Sequence, residues 1–128
     1  MIPLCADQGV AVIPWSPLAR GRLTRHWDEA TERTSTDEFG KTLYVSQVEA
    51  DRRVVDRVGE VAEKRGVPRA QIALAWVLHK PPVTAPIVGA SKLSHLDDAV
   101  AALALKLTPD ELEALEEPYV PHTTSGFV

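Results

Sequence analysis

Two short stretches of this chain hold residue types that could meet an anion. The first is VIPWSPLARGRLTR, residues 12–25, where an apolar run breaks off at Pro14 and glycine and three arginines (Arg20, Arg22, Arg25) arrive in quick succession. The second is GASKLSHLDD, residues 89–98, where Lys92 follows a glycine that closes another apolar run. Neither is diagnostic from residue type alone. A lysine at a helix start is usually plain solvated charge, and the arginines read equally well as surface charge or as anion contacts. Other chemistry finds less support. His26, His79, His95, His122 and Cys5 show no metal-ligand spacing. Tyr44 and Tyr119 sit in stretches without apolar period.

Composition bounds the protein without naming it. The 128 residues suffice for one domain with a core, and 45% apolar, 25% charged and net charge −4 are ordinary for a soluble globular protein. The acidic excess is global and no basic stripe spans an element, so no nucleic-acid partner is expected. No apolar run reaches the roughly 18 residues a membrane span needs. The start MIPLCADQ lacks a basic segment and a long apolar stretch, so it does not read as a secretory signal. A single cysteine cannot form an internal disulfide, which fits a reducing, cytoplasmic setting.

The elements that must position the two stretches follow from hydrophobic period and punctuation. Val10–Ile13 and Ala85–Val88 are short, β-branched and bounded by Gly or Pro, the pattern of parallel strands buried on both faces. Residues 20–46 form a long loop without apolar period, either a binding loop or lid or an insertion. From Gln47 the valines 48, 54, 55, 58 and 61, with Ala62, fall at helical spacing, and Gly66 supplies the stop. Arg52, Arg53 and Arg57 on that helix read as a solvated face. Pro68 introduces a second helix, Arg69–His79, so apolar that it should be buried on more than one side, with Trp76 in the core. A third helix follows GASK. The fourth opens on the capping box Thr108-Pro109-Asp110-Glu111 and ends by Pro118, leaving residues 118–128 as an irregular tail. Trp27 reads either as a lid contact or as a loose surface residue. Strands alternating with helices imply a parallel sheet with right-handed crossovers, yet two strands cannot close one.

Three stretches, VIPWSPLARGRLT, GVPRAQIALAWVLHKPPVTAPIVGAS and LTPDELEALEEPYVPH, resemble in order and spacing the C-terminal part of aldo-keto reductases. The resemblance covers nearly the whole chain and is weakest over residues 26–46. It implies an α/β fold: the C-terminal portion of a (β/α)8 TIM barrel, with two parallel strands (strands seven and eight), their helices and the C-terminal extension. Residues 1–128 would then be one partial domain of an incomplete barrel. In such barrels the loops after strands seven and eight commonly hold a phosphate group, here that of NADP(H). By this resemblance Trp15 stacks on the nicotinamide ring, and Ser16, Leu18, Gly21 and Leu23 run beside the pyrophosphate. Gly21 would let backbone amides approach the anion closely. Gly89 and Ser91 end strand eight, Lys92 meets the 2′-phosphate, and the helix start behind it favours negative charge. His95 and Asp98 fall at the adenosine end. Ala99 departs from the family's usual Asn and removes one adenine hydrogen bond.

The family's catalytic Tyr, Lys, Asp and His belong to its first four strands, and no catalytic residue is assigned in this chain. The expected function is the cofactor-binding section of an NADP-dependent oxidoreductase that reduces carbonyls, inactive by itself, with a carbonyl substrate only in a complete barrel. Two alternatives stand beside it: a non-catalytic nucleotide-binding or interaction module, and an unstable truncated gene product. Open strand edges also lead us to expect self-association.

Overall fold

A computed structural model of the protein describes residues 1–29 and 47–121. The expectations for residues 30–46 (most of the long loop, with Tyr44) and for the tail from His122 onward lie outside the described residues. The chain opens on a short helix, α1 (Ile2–Asp7), that no sequence signal announced. It begins with a proline in the first turn and buries none of its residues, so local hydrogen bonding forms it, not an apolar stripe. A 3₁₀ stretch, Ala19–Thr24, follows.

The remaining helices stand where the caps and periods put them. α2 spans Val48–Arg65 and ends on Gly66 in the left-handed conformation. α3 is Arg69–His79, α4 is Leu93–Ala101 and α5 is Pro109–Glu116. The capping box of α5 is formed in both directions: Glu111 N–H donates to Thr108 Oγ1 at 3.3 Å and Thr108 N–H to Glu111 Oε2 at 2.7 Å.

The core lies between α2, α3 and α5. Val58, Val61 and Ala62 of α2 meet Ile72 of α3 and Leu115 of α5, with Leu23, Trp76, Leu105 and Leu107 packed around them. Four consecutive residues of α3, Ile72 to Ala75, are buried. Successive helix residues point about 100° apart, so that run encloses α3 on nearly every side. Polar ties surround this core. Arg65 forms a two-pronged pair with Glu111 at 2.5 and 2.6 Å. That pairing, with the Thr108 backbone, holds the Glu111 carboxyl down at about 2. Arg57 donates to Ala114 O at 2.7 Å and pairs with Glu117 at 3.0 Å. Arg52 reaches Asp28 at 2.9 Å as well as Asp56 on its own helix. Arg52 and Arg57, expected to lie on a solvated face, thus also bind neighbouring segments, while Arg53 is exposed as expected. Trp76 packs against the core as expected, and its indole N–H donates to Glu116 at 3.0 Å.

The two expected strands are corrected in extent and burial, though not in direction. Parallel pairing is present at two isolated bridges, Val12 opposite Val83 and Trp15 opposite Ile87. Thr84 N–H donates to Val12 O and Ile87 N–H to Pro14 O, both at 2.9 Å. One segment advances three residues between the bridges while the other advances four, so the register slips by one. Pro14, Pro82 and Pro86 have no N–H to give, and a continuous ladder cannot run through them. Nor are the segments buried on both faces: Ile13 is 61% exposed and Ile87 50%. Val12 and Val83 are half-buried, while Ile13 and Ile87 stand exposed.

Candidate functional site

The bridge between Trp15 and Ile87 decides the geometry of the site. The two segments run parallel, so the chain leaves both in the same direction. The turn after Trp15 and the GASK segment after Ile87 therefore emerge side by side at one edge.

The turn after Trp15 is strained. Ser16, Ala19 and Arg20 have φ of 56°, 48° and 56°, and Gly21 has 91°. Each non-glycine residue in this region costs about 1–2 kcal/mol and persists only where neighbours dictate it. Here they do. Ser16 Oγ accepts the Arg20 N–H at 3.1 Å and Ser16 O accepts the Ala19 N–H at 2.9 Å. Gly21 N–H donates to Leu18 O at 2.9 Å, while Gly21 O accepts from Thr24 Oγ1 and Arg25 Nη1, each at 2.8 Å. Gly21 is favoured by its φ of 91°; a Cβ there would also lie 2.9 Å from the flexible end of Arg25, which would have to shift.

This bonding revises one expectation. The amides of Ala19, Arg20 and Gly21 are engaged within the turn, so those three do not offer themselves to an anion. What the turn presents is side-chain charge over aromatic surface. The Arg20 guanidinium lies 5.8 Å from the ring centre of Trp15, and that of Arg22 lies 5.2 Å from Trp27. Trp27, which could be read two ways from sequence, is thus a partner of the basic turn. Arg25 is pinned to Gly21 O and Glu29 O.

The other candidate residues divide by exposure. Trp15 is 59% exposed, leaving ring surface open. Leu18 is half-buried, and Leu23 packs into the core, so Leu23 anchors the turn from beneath. Gly89, Ser91, Lys92 and His95 are exposed, with Lys92 at the N-cap of α4 and no side chain capping that helix. Asp98 is half-buried, and its Oδ1 accepts from Gln71 Nε2 at 2.9 Å. A cleft of about 410 Å³ lies beneath the turn, between Pro17, Leu23, Val58, Ile72 and Trp76, with Lys80 and Glu116 paired at its rim. None of the ten candidate residues except Leu23 lines it. The other nine candidate residues thus lie apart from this apolar cleft.

Two residues that sequence reasoning missed stand behind the site. Arg69, the first residue of α3, donates to Val55 O at 2.9 Å and reaches Arg25 O at 3.4 Å and His26 Nδ1 at 3.0 Å. Gln71 is the partner of Asp98. A signal for Arg69 was available: a cation at a helix N-terminus opposes the helix dipole and so calls for a reason.

The profile of the Aldo/keto reductase family matches residues 1–119. Versiconal hemiacetal acetate reductase of Aspergillus parasiticus is 48% identical over 124 residues, which are 94% of this chain and 36% of that protein. A thermostable aldo-keto reductase solved with the inhibitor epalrestat superposes with a TM-score of 0.60 at 26% identity, over 92% of this chain and 33% of its own. The glycerol dehydrogenase of Gluconobacter oxydans superposes with a TM-score of 0.72 over 92% of this chain and 36% of its own; at 23% identity that likeness carries the fold alone. The chain spans about a third of the length of each of these proteins. No described helix is long and apolar enough to cross a membrane.

Proposed function

The chain belongs to the aldo/keto reductase family, and from that premise we propose that it supplies the NADP(H)-holding section of a (β/α)8 barrel that reduces carbonyls to alcohols. The single observation that carries this reading is the parallel Trp15–Ile87 bridge, which brings the two candidate loops to one edge. The residues there fit the group. Trp15 offers open ring surface for the nicotinamide. The basic turn from Ser16 to Arg25 provides positive potential beside the pyrophosphate, its strained backbone held in one shape by its own hydrogen bonds. Lys92, exposed at the start of α4, combines an ammonium with the positive end of a helix for the 2′-phosphate. His95 and Asp98, one turn apart on α4, take the adenosine end.

The cofactor, when bound, supplies the hydride; this chain binds and orients it. Among the residues of this sequence we assign none as the proton donor, so carbonyl reduction requires the strands that bring the Tyr, Lys, Asp and His. The isolated chain binds nucleotide without turnover. Its open apolar edge, with Ile13, Ile87 and Leu93 exposed, also favours self-association.

Titration of the chain with NADPH and NADH, beside Lys92→Ala, tests the reading. NADPH should bind more tightly than NADH, and the variant should remove that preference by weakening NADPH alone. Equal weak binding in all four titrations would end the cofactor proposal.

A further inference from the structure

The first turn of α3 touches both halves of the candidate site. Arg69 and Gln71 are two residues apart, about 200° around the helix, so their side chains leave α3 on opposite sides. Arg69 points toward α2 and the segment that follows the strained turn. Its guanidinium lies over Gly59, where a Cβ would stand only 2.2–2.6 Å from Nη2, Cζ and Nη1. From that slot it donates to Val55 O and reaches the carbonyl of Arg25 and the ring of His26. Arg25 in turn clamps Gly21 O. Two successive cation–carbonyl ties thus run from α3 to the residue of highest φ in the turn. On the other side Gln71 holds Asp98 in the second turn of α4, the helix whose start carries Lys92.

We infer that Arg69 and Gln71 are positioning residues: together they form a bracket on α3 that fixes the basic turn and α4 relative to one another. What the two loops hold rests on the nucleotide reading above; that they are held from α3 does not. A rigid shared support matters because a dinucleotide bridges both loops, and misplacing either one loses contacts made by the other. Neither residue touches the ligand, and each governs a different half.

The test uses the full chain and two independent readouts. Amide hydrogen exchange is followed at residues 19–26 and 93–98 in Arg69→Met, Gln71→Leu, Gly59→Ala and Arg69→Lys. Binding of NADPH and of 2′,5′-ADP, which carries only the adenosine end, is measured by calorimetry. Arg69→Met should accelerate exchange in 19–26 by roughly tenfold, the scale of one lost hydrogen bond to a charged group, and leave 93–98 unchanged. It should weaken NADPH by a similar factor and spare 2′,5′-ADP. Gly59→Ala, which displaces the guanidinium without altering either loop, should reproduce this pattern should Arg69→Met fail to fold. Arg69→Lys should not rescue it, since a single ammonium cannot span the fork's separate acceptors. Gln71→Leu should loosen 93–98 selectively and weaken both ligands. Equal acceleration in both segments by both Arg69→Met and Gln71→Leu, or acceleration in neither, would overturn the bracket. If the expected exchange pattern appears while the unaltered chain binds neither ligand, the bracket stands and the nucleotide reading falls.

Discussion

Gly59→Ala gives the sharpest test of this packing, because two opposing effects act and the structure says which wins. Gly59 lies inside α2, where alanine is ordinarily better than glycine by about 0.5–1 kcal/mol. In this chain a methyl at that position meets the Arg69 guanidinium at 2.2 Å. The arginine is flexible at its far end, so the backbone need not move; the guanidinium leaves its slot. Leaving breaks its 2.9 Å bond to Val55 O and its 3.0 Å contact with the His26 ring. Hydrogen bonds to a charged group contribute about 1.5–3 kcal/mol when well made. Arg69 is only half-buried, so we take roughly 2 kcal/mol for the set, at the low end of that range. The net effect is a destabilisation of about 1 kcal/mol, or about 3–5 °C in Tm for a chain of this size. In an Arg69→Ala background the obstruction is gone, and Gly59→Ala should stabilise by about 0.5–1 kcal/mol. Urea unfolding followed by circular dichroism on the four proteins of the cycle yields the coupling directly. If Gly59→Ala stabilises both backgrounds equally, the guanidinium does not occupy that slot and the bracket loses its anchor.

Three further outcomes follow from the same contacts. The folded-state pKa of Glu111, about 2, lies below its ordinary 4.5. Its contribution is therefore present above about pH 4.5 and is lost as pH falls toward 2; in Glu111→Gln the urea midpoint should vary less over that window. Ile72 is 0% exposed at the centre of the core, so Ile72→Ala should cost about 3–4 kcal/mol and lower the thermal midpoint enough to unfold part of the chain at 37 °C. Leu93, Leu96 and Val100 lie at helical spacing on α4 with 74%, 51% and 58% of their surface exposed. Leu96→Lys should raise the monomer fraction in size-exclusion chromatography with light scattering, and no change would argue against this face as the route to association.

Helix ends were legible because their signals are local. Gly66 after an apolar period, and Thr108-Pro109 with Glu111 behind them, specify a stop and a start within a few residues, and both caps are formed in the structure. Strand burial was not legible in the same way. Val10–Ile13 has the composition of a doubly covered strand, but coverage is supplied by other elements, and here Ile13 stands exposed. Six residues of α1 were too few to show a period. The parallel direction, by contrast, followed from strands alternating with helices, the pattern of right-handed crossovers.

The candidate residues at the exposed edge came from the family resemblance, and their supports left no motif. Residue type alone marks neither Trp15 nor Lys92 nor His95, and Arg69 and Gln71 read as ordinary helix-start residues. Yet Arg69 and Gly59 each break a local preference, one a cation at the wrong end of a helix, the other a glycine inside one. Taken singly, each is a small cost with no visible return. The structure shows that they are the two halves of a single contact, ten residues apart in sequence and touching in space. Paired violations on neighbouring helices are thus the sequence trace that a positioning contact leaves: the missing side chain makes room for the misplaced charge, and the charge holds the loop.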